Sequence, residues 1–127
     1  MITHKGIKLG KQVIKERDIL GEKNDCIVRA LMESLEIPYL EAYGMMIGLG
    51  RKRNKGLRIE ALVDNICVGK YPRPNMIVEN YVRFIAHSGN WIIEIRGHVF
   101  AVIGGCIKDE FPSAVLNCHV LNSWRMK

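Results

Sequence analysis

The chain predicts an α+β fold in a single domain, with helices in the first two thirds and an antiparallel β-meander behind them. Three observations carry this expectation. Apolar residues recur at helical spacing from Cys26 to Leu35 and again from Ile77 to Ile85, the period changes to two at Trp91, and Gly104-Gly105 interrupts the β-rich tail where a two-residue hairpin turn belongs. A length of 127 residues is that of one domain, and 48% hydrophobic with 25% charged residues is a globular makeup whose core needs no disulfide staples.

Element by element, residues 1–9 carry no periodic pattern and are expected to fray. Asn24 and Asp25 are N-cap residues placed directly before a helix over Cys26 to Leu35, where Ile27, Leu31 and Leu35 share one face and Pro38 follows. A short helix is expected over Tyr39 to Ile47, with Met45 and Met46 filling core space, then a glycine-bounded loop from Gly48 to Gly56. Leu57 to Cys67 reads as a third, weaker helix closed by Gly69, Pro72 and Pro74. Ile77, Val78, Tyr81, Val82 and Ile85 mark a fourth that stops before Gly89. In the next segment Trp91, Ile93 and Ile95 alternate with Ile92, Glu94 and Arg96. Strands then follow over His98 to Ile103, Cys106 to Phe111 and Val115 to Asn122. With no internal repeat or linker, residues 1–127 are read as one domain.

Nineteen Lys and Arg against 13 Asp and Glu give a net charge of +6, which attracts phosphate or acidic surfaces without naming a partner. The run Arg51, Lys52, Arg53, Asn54, Lys55 concentrates that charge. It supports an alternative reading as a basic protein that binds nucleic acid or an acidic protein surface, although no aromatic residue is interleaved to stack a base. No apolar run approaches the roughly 18 residues of a membrane span, and Met1 to Lys15 has no continuous apolar stretch. No membrane association and a cytoplasmic location are therefore expected. Cys26, Cys67, Cys106 and Cys118 are widely spaced without a C-x-x-C pair, which fits free thiols in a reducing compartment.

The residue with the sharpest chemistry is Cys26. At the opening turn of a helix, free N–H groups and the positive end of the macrodipole favour thiolate over thiol, whereas a structural cysteine is usually just a small buried side chain. His98 follows a glycine and opens a strand, so its ring emerges at a sheet margin. With Gly104 and Gly105 as the two turn residues, Ile103 faces Cys106 and Phe100 faces Asp109, which puts Asp109 on the His98 face as its diagonal neighbour. A cysteine, a histidine and a carboxylate so placed are a nucleophile, a base and an orienter. Cys106, Cys118, His119 and His98 are ligand types for zinc, but adjacent Cys118 and His119 point to opposite faces of a strand, so no metal and no cofactor are expected. His4 and His87 are expected to be solvated.

Asn24-Asp25-Cys26-Ile-Val-Arg-Ala-Leu resembles the Asp-Cys helix start of the papain-like cysteine peptidases and amidases, in particular the bacteriocin-processing peptidases related to the C39 type and the NlpC/P60 cell-wall hydrolases. Gly97-His98-Val-Phe-Ala-Val-Ile-Gly104-Gly105 is similar to their Gly-His strand and glycine turn, and small phage proteins share the Asn-Asp-Cys and Gly-His pieces. The resemblance implies a papain-like fold with Cys26 at a helix N-terminus and a cytosolic thiol hydrolase cleaving an amide bond of a peptide, isopeptide or glutamine-like side chain. A phage factor directed at its host is also within its scope. Such enzymes place a glutamine shortly before the cysteine as an oxyanion donor. Here the only glutamine is the distant Gln12, and Asn24 with the Cys26 N–H takes that role. Asn122-Ser123-Trp124 also looks like the segment with which papain orients its histidine, so Asn122 is the reserve for Asp109.

Overall fold

A computed structural model describes residues 3–6, 26–48, 63–64, 66–109 and 111–126. In chain order it contains β1 (Thr3–Gly6), α1 (Cys26–Leu35), α2 (Tyr39–Gly48), β2 (Gly69–Pro72), α3 (Val78–Phe84), β3 (Asn90–Ile95), β4 (His98–Ile103), β5 (Cys106–Asp109), α4 (Pro112–Val115) and β6 (Asn122–Arg125). The class is α+β.

Helix α1 forms where the apolar spacing requires it, burying Ile27, Val28, Ala30 and Leu31 along one side. Its end is built by Glu36 in the left-handed region (φ 57°), which lets the Ile37 N–H donate back to the Met32 carbonyl at 3.1 Å before Pro38 stops the helix. The strands form one sheet in the order β1-β5-β4-β3-β6-β2, antiparallel throughout except for the parallel β1–β5 pair.

Both faces of this sheet are covered. Ile92, Val99 and Trp124 pack with α1 and with Tyr39, Ala42 and Met46 of α2; Ile93, Ile95, Phe100, Val102 and Ile107 pack with Val78, Tyr81 and Val82 of α3 and Val115 of α4. Strand β3 is therefore buried on both sides, with only Glu94 partly exposed. Of the methionine pair, Met46 is buried and Met45 half-buried.

Several sequence expectations are corrected. Residues 3–6, expected to fray, pair in parallel with β5, where the backbone groups of an otherwise open strand are available to them. The segment Gly69 to Pro72, expected only to close a helix, is an edge strand beside β6, a place where a proline without an N–H is tolerated. The expected helix over Leu57 to Cys67 lies largely outside the described residues, and its end shows a helical bond from the Cys67 N–H to the Val63 carbonyl at 3.0 Å. Strand β5 ends at Asp109 instead of Phe111 because the Asp109 carboxylate accepts the Phe111 N–H and turns the chain. The strand expected over Val115 to Asn122 is displaced. Pro112, with its φ preset for a first helical turn, opens α4, and apart from an isolated antiparallel bridge between His119 and Ile77 the next strand begins at Asn122. Strand β6 then lies beside β3, so the meander ends at β5.

Candidate active site

Two glycines set the geometry of the site. Gly104 and Gly105 have φ of 56° and 79°, the double left-handed conformation of a type I′ hairpin turn. The register that follows is Ile103 opposite Cys106, Val102 opposite Ile107 and Ala101 opposite Lys108. By the two-residue period Asp109 and His98 fall on one face, and His98 Nε2 lies 2.8 Å from Asp109 Oδ1. The second oxygen of Asp109 accepts the Phe111 N–H at 3.2 Å, and the carboxylate side chain is only 10% exposed. The ring of His98 is stacked at 26° on Phe100, which fixes its plane.

Cys26 is the first residue of α1 and reaches His98 from the opposite layer, at the end of the sheet where β4 begins. The His98 ring and the Val99 N–H both act on its sulfur and favour the thiolate. With Nε2 held by Asp109, Nδ1 is the ring nitrogen left for the sulfur. Burial pushes the Cys26 thiol up, but the His98 hydrogen bond and charge, the Val99 N–H and the Arg29 guanidinium together bring it below its ordinary value. The Asp109 hydrogen bond, followed by that of Cys26, pushes His98 up to about 9 against the opposing effect of burial. For Asp109 burial works upward and is outweighed by the hydrogen bond and charge of His98, so its carboxyl stays below the usual carboxylate range. At neutral pH His98 is thus an imidazolium beside the Asp109 carboxylate, and the Cys26 thiol is shifted toward thiolate.

A narrow pocket of about 20 Å³ is lined by Cys26 together with Arg29, His98 and Lys108. Beside it a cleft of about 380 Å³ is lined by His98, Asp109 and Arg29 without Cys26. Arg29 and the Val99 N–H are the groups at this site that motif reading passes over. The signal for Arg29 is its place three residues after Cys26, which on a helix is the same face.

The reserve orienter sits elsewhere. Asn122 donates to Glu94 Oε1 at 2.8 Å, and its register partner Glu94 lies opposite Val99, so it belongs to the other face of the sheet from His98. Its neighbours are also engaged, Ser123 with the Tyr81 hydroxyl and Trp124 Nε1 with Asp64 Oδ1 at 2.8 Å. Asn24, Gln12 and the basic run Arg51, Lys52, Arg53 and Lys55 lie outside the described residues. All four cysteines are free and half-buried, His87 and His119 are exposed, and among the described residues no three His, Cys, Asp or Glu side chains gather as a metal site.

Among the described residues no helix is long and apolar enough to cross a membrane. Comparison of the chain with family models, with curated proteins and with solved structures returns no match.

Proposed function

We propose that the chain is a papain-like cysteine hydrolase that cleaves an amide bond through Cys26, His98 and Asp109. The observation that supports this most is the continuous line from a thiol at a helix start, through one imidazole, to a shielded carboxylate. The Cys26 thiolate attacks the carbonyl carbon, and the charge that develops on oxygen is met by the N–H groups at the start of α1. The C–N bond breaks as the His98 imidazolium gives its proton to the departing nitrogen, leaving a thioester on Cys26. Neutral His98 then takes a proton from water, the hydroxide adds to the thioester, and the acid leaves as thiolate and imidazolium are restored. Throughout, Asp109 holds the ring in one orientation and stabilises its cationic form.

The test is digestion of a pool of peptides of varied sequence, with new termini read by mass spectrometry. New termini in the presence of the wild-type chain that vanish with Cys26→Ala support the reading. A pool left unchanged by the wild-type chain overturns it.

A further inference from the structure

The hydrolase reading leaves open what flanks the scissile bond, and the cleft beside the catalytic pair bears on this. In such a reaction the sulfur meets the carbonyl carbon and the general acid meets the departing nitrogen. Space bordered by His98 and Asp109 but not by Cys26 therefore lies on the side of the leaving group. That cleft, about 380 Å³, falls toward the lower end of the roughly 300–1,000 Å³ of small-ligand sites, room for one large side chain with its backbone.

Beyond that pair the walls are apolar and come from two depths. Ile95 and Val115 are 5% and 4% exposed and belong to the core layer packed with α3, whereas Phe111 and Ala114 stand at the surface. A lone exposed phenylalanine carries little meaning, but this one is tied to the site, because its N–H donates to the second oxygen of Asp109 at 3.2 Å. Pro112 restricts its backbone from the other side. One carboxylate thus orients the imidazole and anchors the apolar rim of the cleft. Arg29 is engaged within the chain and Glu110 lies outside the described residues, so recognition is assigned to the apolar wall alone.

Resting on the hydrolase reading, we propose that the residue directly after the scissile bond carries a large apolar side chain, aromatic or long aliphatic, which packs on Phe111, Ala114 and Val115. The Cys26 sulfur forms its bond to the acyl carbon and the C–N bond breaks. The electron pair left on nitrogen takes the proton of His98 while that side chain is still held in the cleft.

The same cleft binds an amine that attacks the thioester in reverse, so the test needs no knowledge of the acyl group. Cys26 is acetylated with p-nitrophenyl acetate in the presence of phenylalaninamide or glycinamide. The amine nitrogen forms the new C–N bond, the C–S bond breaks, and the amine proton passes to His98. The wild-type ratio of N-acetylphenylalaninamide to N-acetylglycinamide is divided by that of Ala114→Phe, whose added ring fills the cleft from an exposed position, and by that of Phe111→Ala, which removes the rim. The division cancels the different reactivity of the two amines. Quotients of about ten for Ala114→Phe and about three for Phe111→Ala are expected, at an unchanged rate of Cys26 acetylation that shows each variant to be folded. If Ala114→Phe is acetylated slowly, Phe111→Ala carries the test. Quotients of one, or acetate as the only product, overturn the subsite and leave the hydrolase reading intact. Failure of the wild-type chain to acetylate at Cys26 overturns both.

Discussion

Replacing Asp109 by Asn keeps the size of the side chain and removes its charge, and it is expected to lower the His98 pKa from about 9 by at least one unit. The ordinary histidine value is 6.5, and the hydrogen bond of Asp109 is the first cause of the rise, ahead of that of Cys26. At about 1.36 kcal/mol per unit, the whole displacement has a ceiling of about 3 kcal/mol. Solvent screening reduces this, because the His98 side chain is 29% exposed. The sign follows from linkage. A raised histidine stabilises the fold fully below 6.5 and ceases to do so as pH rises through about 9, while a depressed Asp109 stabilises it above 3.8 and ceases to do so as pH falls. The advantage of the wild-type chain over Asp109→Asn is therefore greatest between 3.8 and 6.5 and shrinks on either side. Histidine ring resonances followed by NMR across pH, with His98 assigned by its loss in His98→Gln, give the pKa directly. Urea melts at several pH values give the stability. A wild-type His98 that titrates near 6.5, or one whose pKa is the same in Asp109→Asn, refutes the reasoning.

Iodoacetamide at pH 7 is expected to modify Cys26 at least about tenfold faster than Cys67, Cys106 or Cys118, with the difference lost in denaturant; uniform labelling of the folded chain contradicts a depressed thiol. Asp109→Ala is expected to lower peptide cleavage by about 100-fold, against less than about threefold for Asn122→Ala, whose amide serves Glu94; equal losses place the orienter elsewhere. In the hairpin, Gly104→Ala meets open space and costs about 1 kcal/mol for its left-handed φ, whereas Gly105→Ala also brings a Cβ to 3.1 Å from the His87 carbonyl and costs about 2 kcal/mol in urea melts. Equal destabilisation contradicts that contact.

What the sequence made legible was whatever rests on local pattern. Helix α1, its start at Cys26 and the turn at Gly104-Gly105 are written in apolar spacing and backbone permissiveness, and from the turn the pairing of His98 with Asp109 follows by counting residues. What stayed hidden depends on distant partners. Nothing in Thr3 to Gly6 announces a strand until β5 offers it an edge, and the alternation in β3 gives no sign that α3 covers the face opposite α1. Val115 to Asn122 misled because Val115 and Val120 are buried by a short helix and a turn, which a period of two cannot distinguish from a strand. The Asn122-Ser123-Trp124 likeness named the residues but not their register, and the register assigns them to Glu94, Tyr81 and Asp64.

The components of the site differ in how far the chain must travel to assemble them. His98 and Asp109 are 11 residues apart and meet as soon as one hairpin closes, a microsecond event for an isolated β-hairpin. Cys26 belongs to another helix and gains its partners only when α1 settles on β4. Before that docking the sulfur has neither the imidazolium nor the Val99 N–H and is an ordinary thiol. Reactivity at this one atom is then a reporter of the docking of α1. A pulse of alkylating reagent during refolding reads the docking of α1 as a rise in the Cys26 rate, on the same chain whose hairpin is already closed.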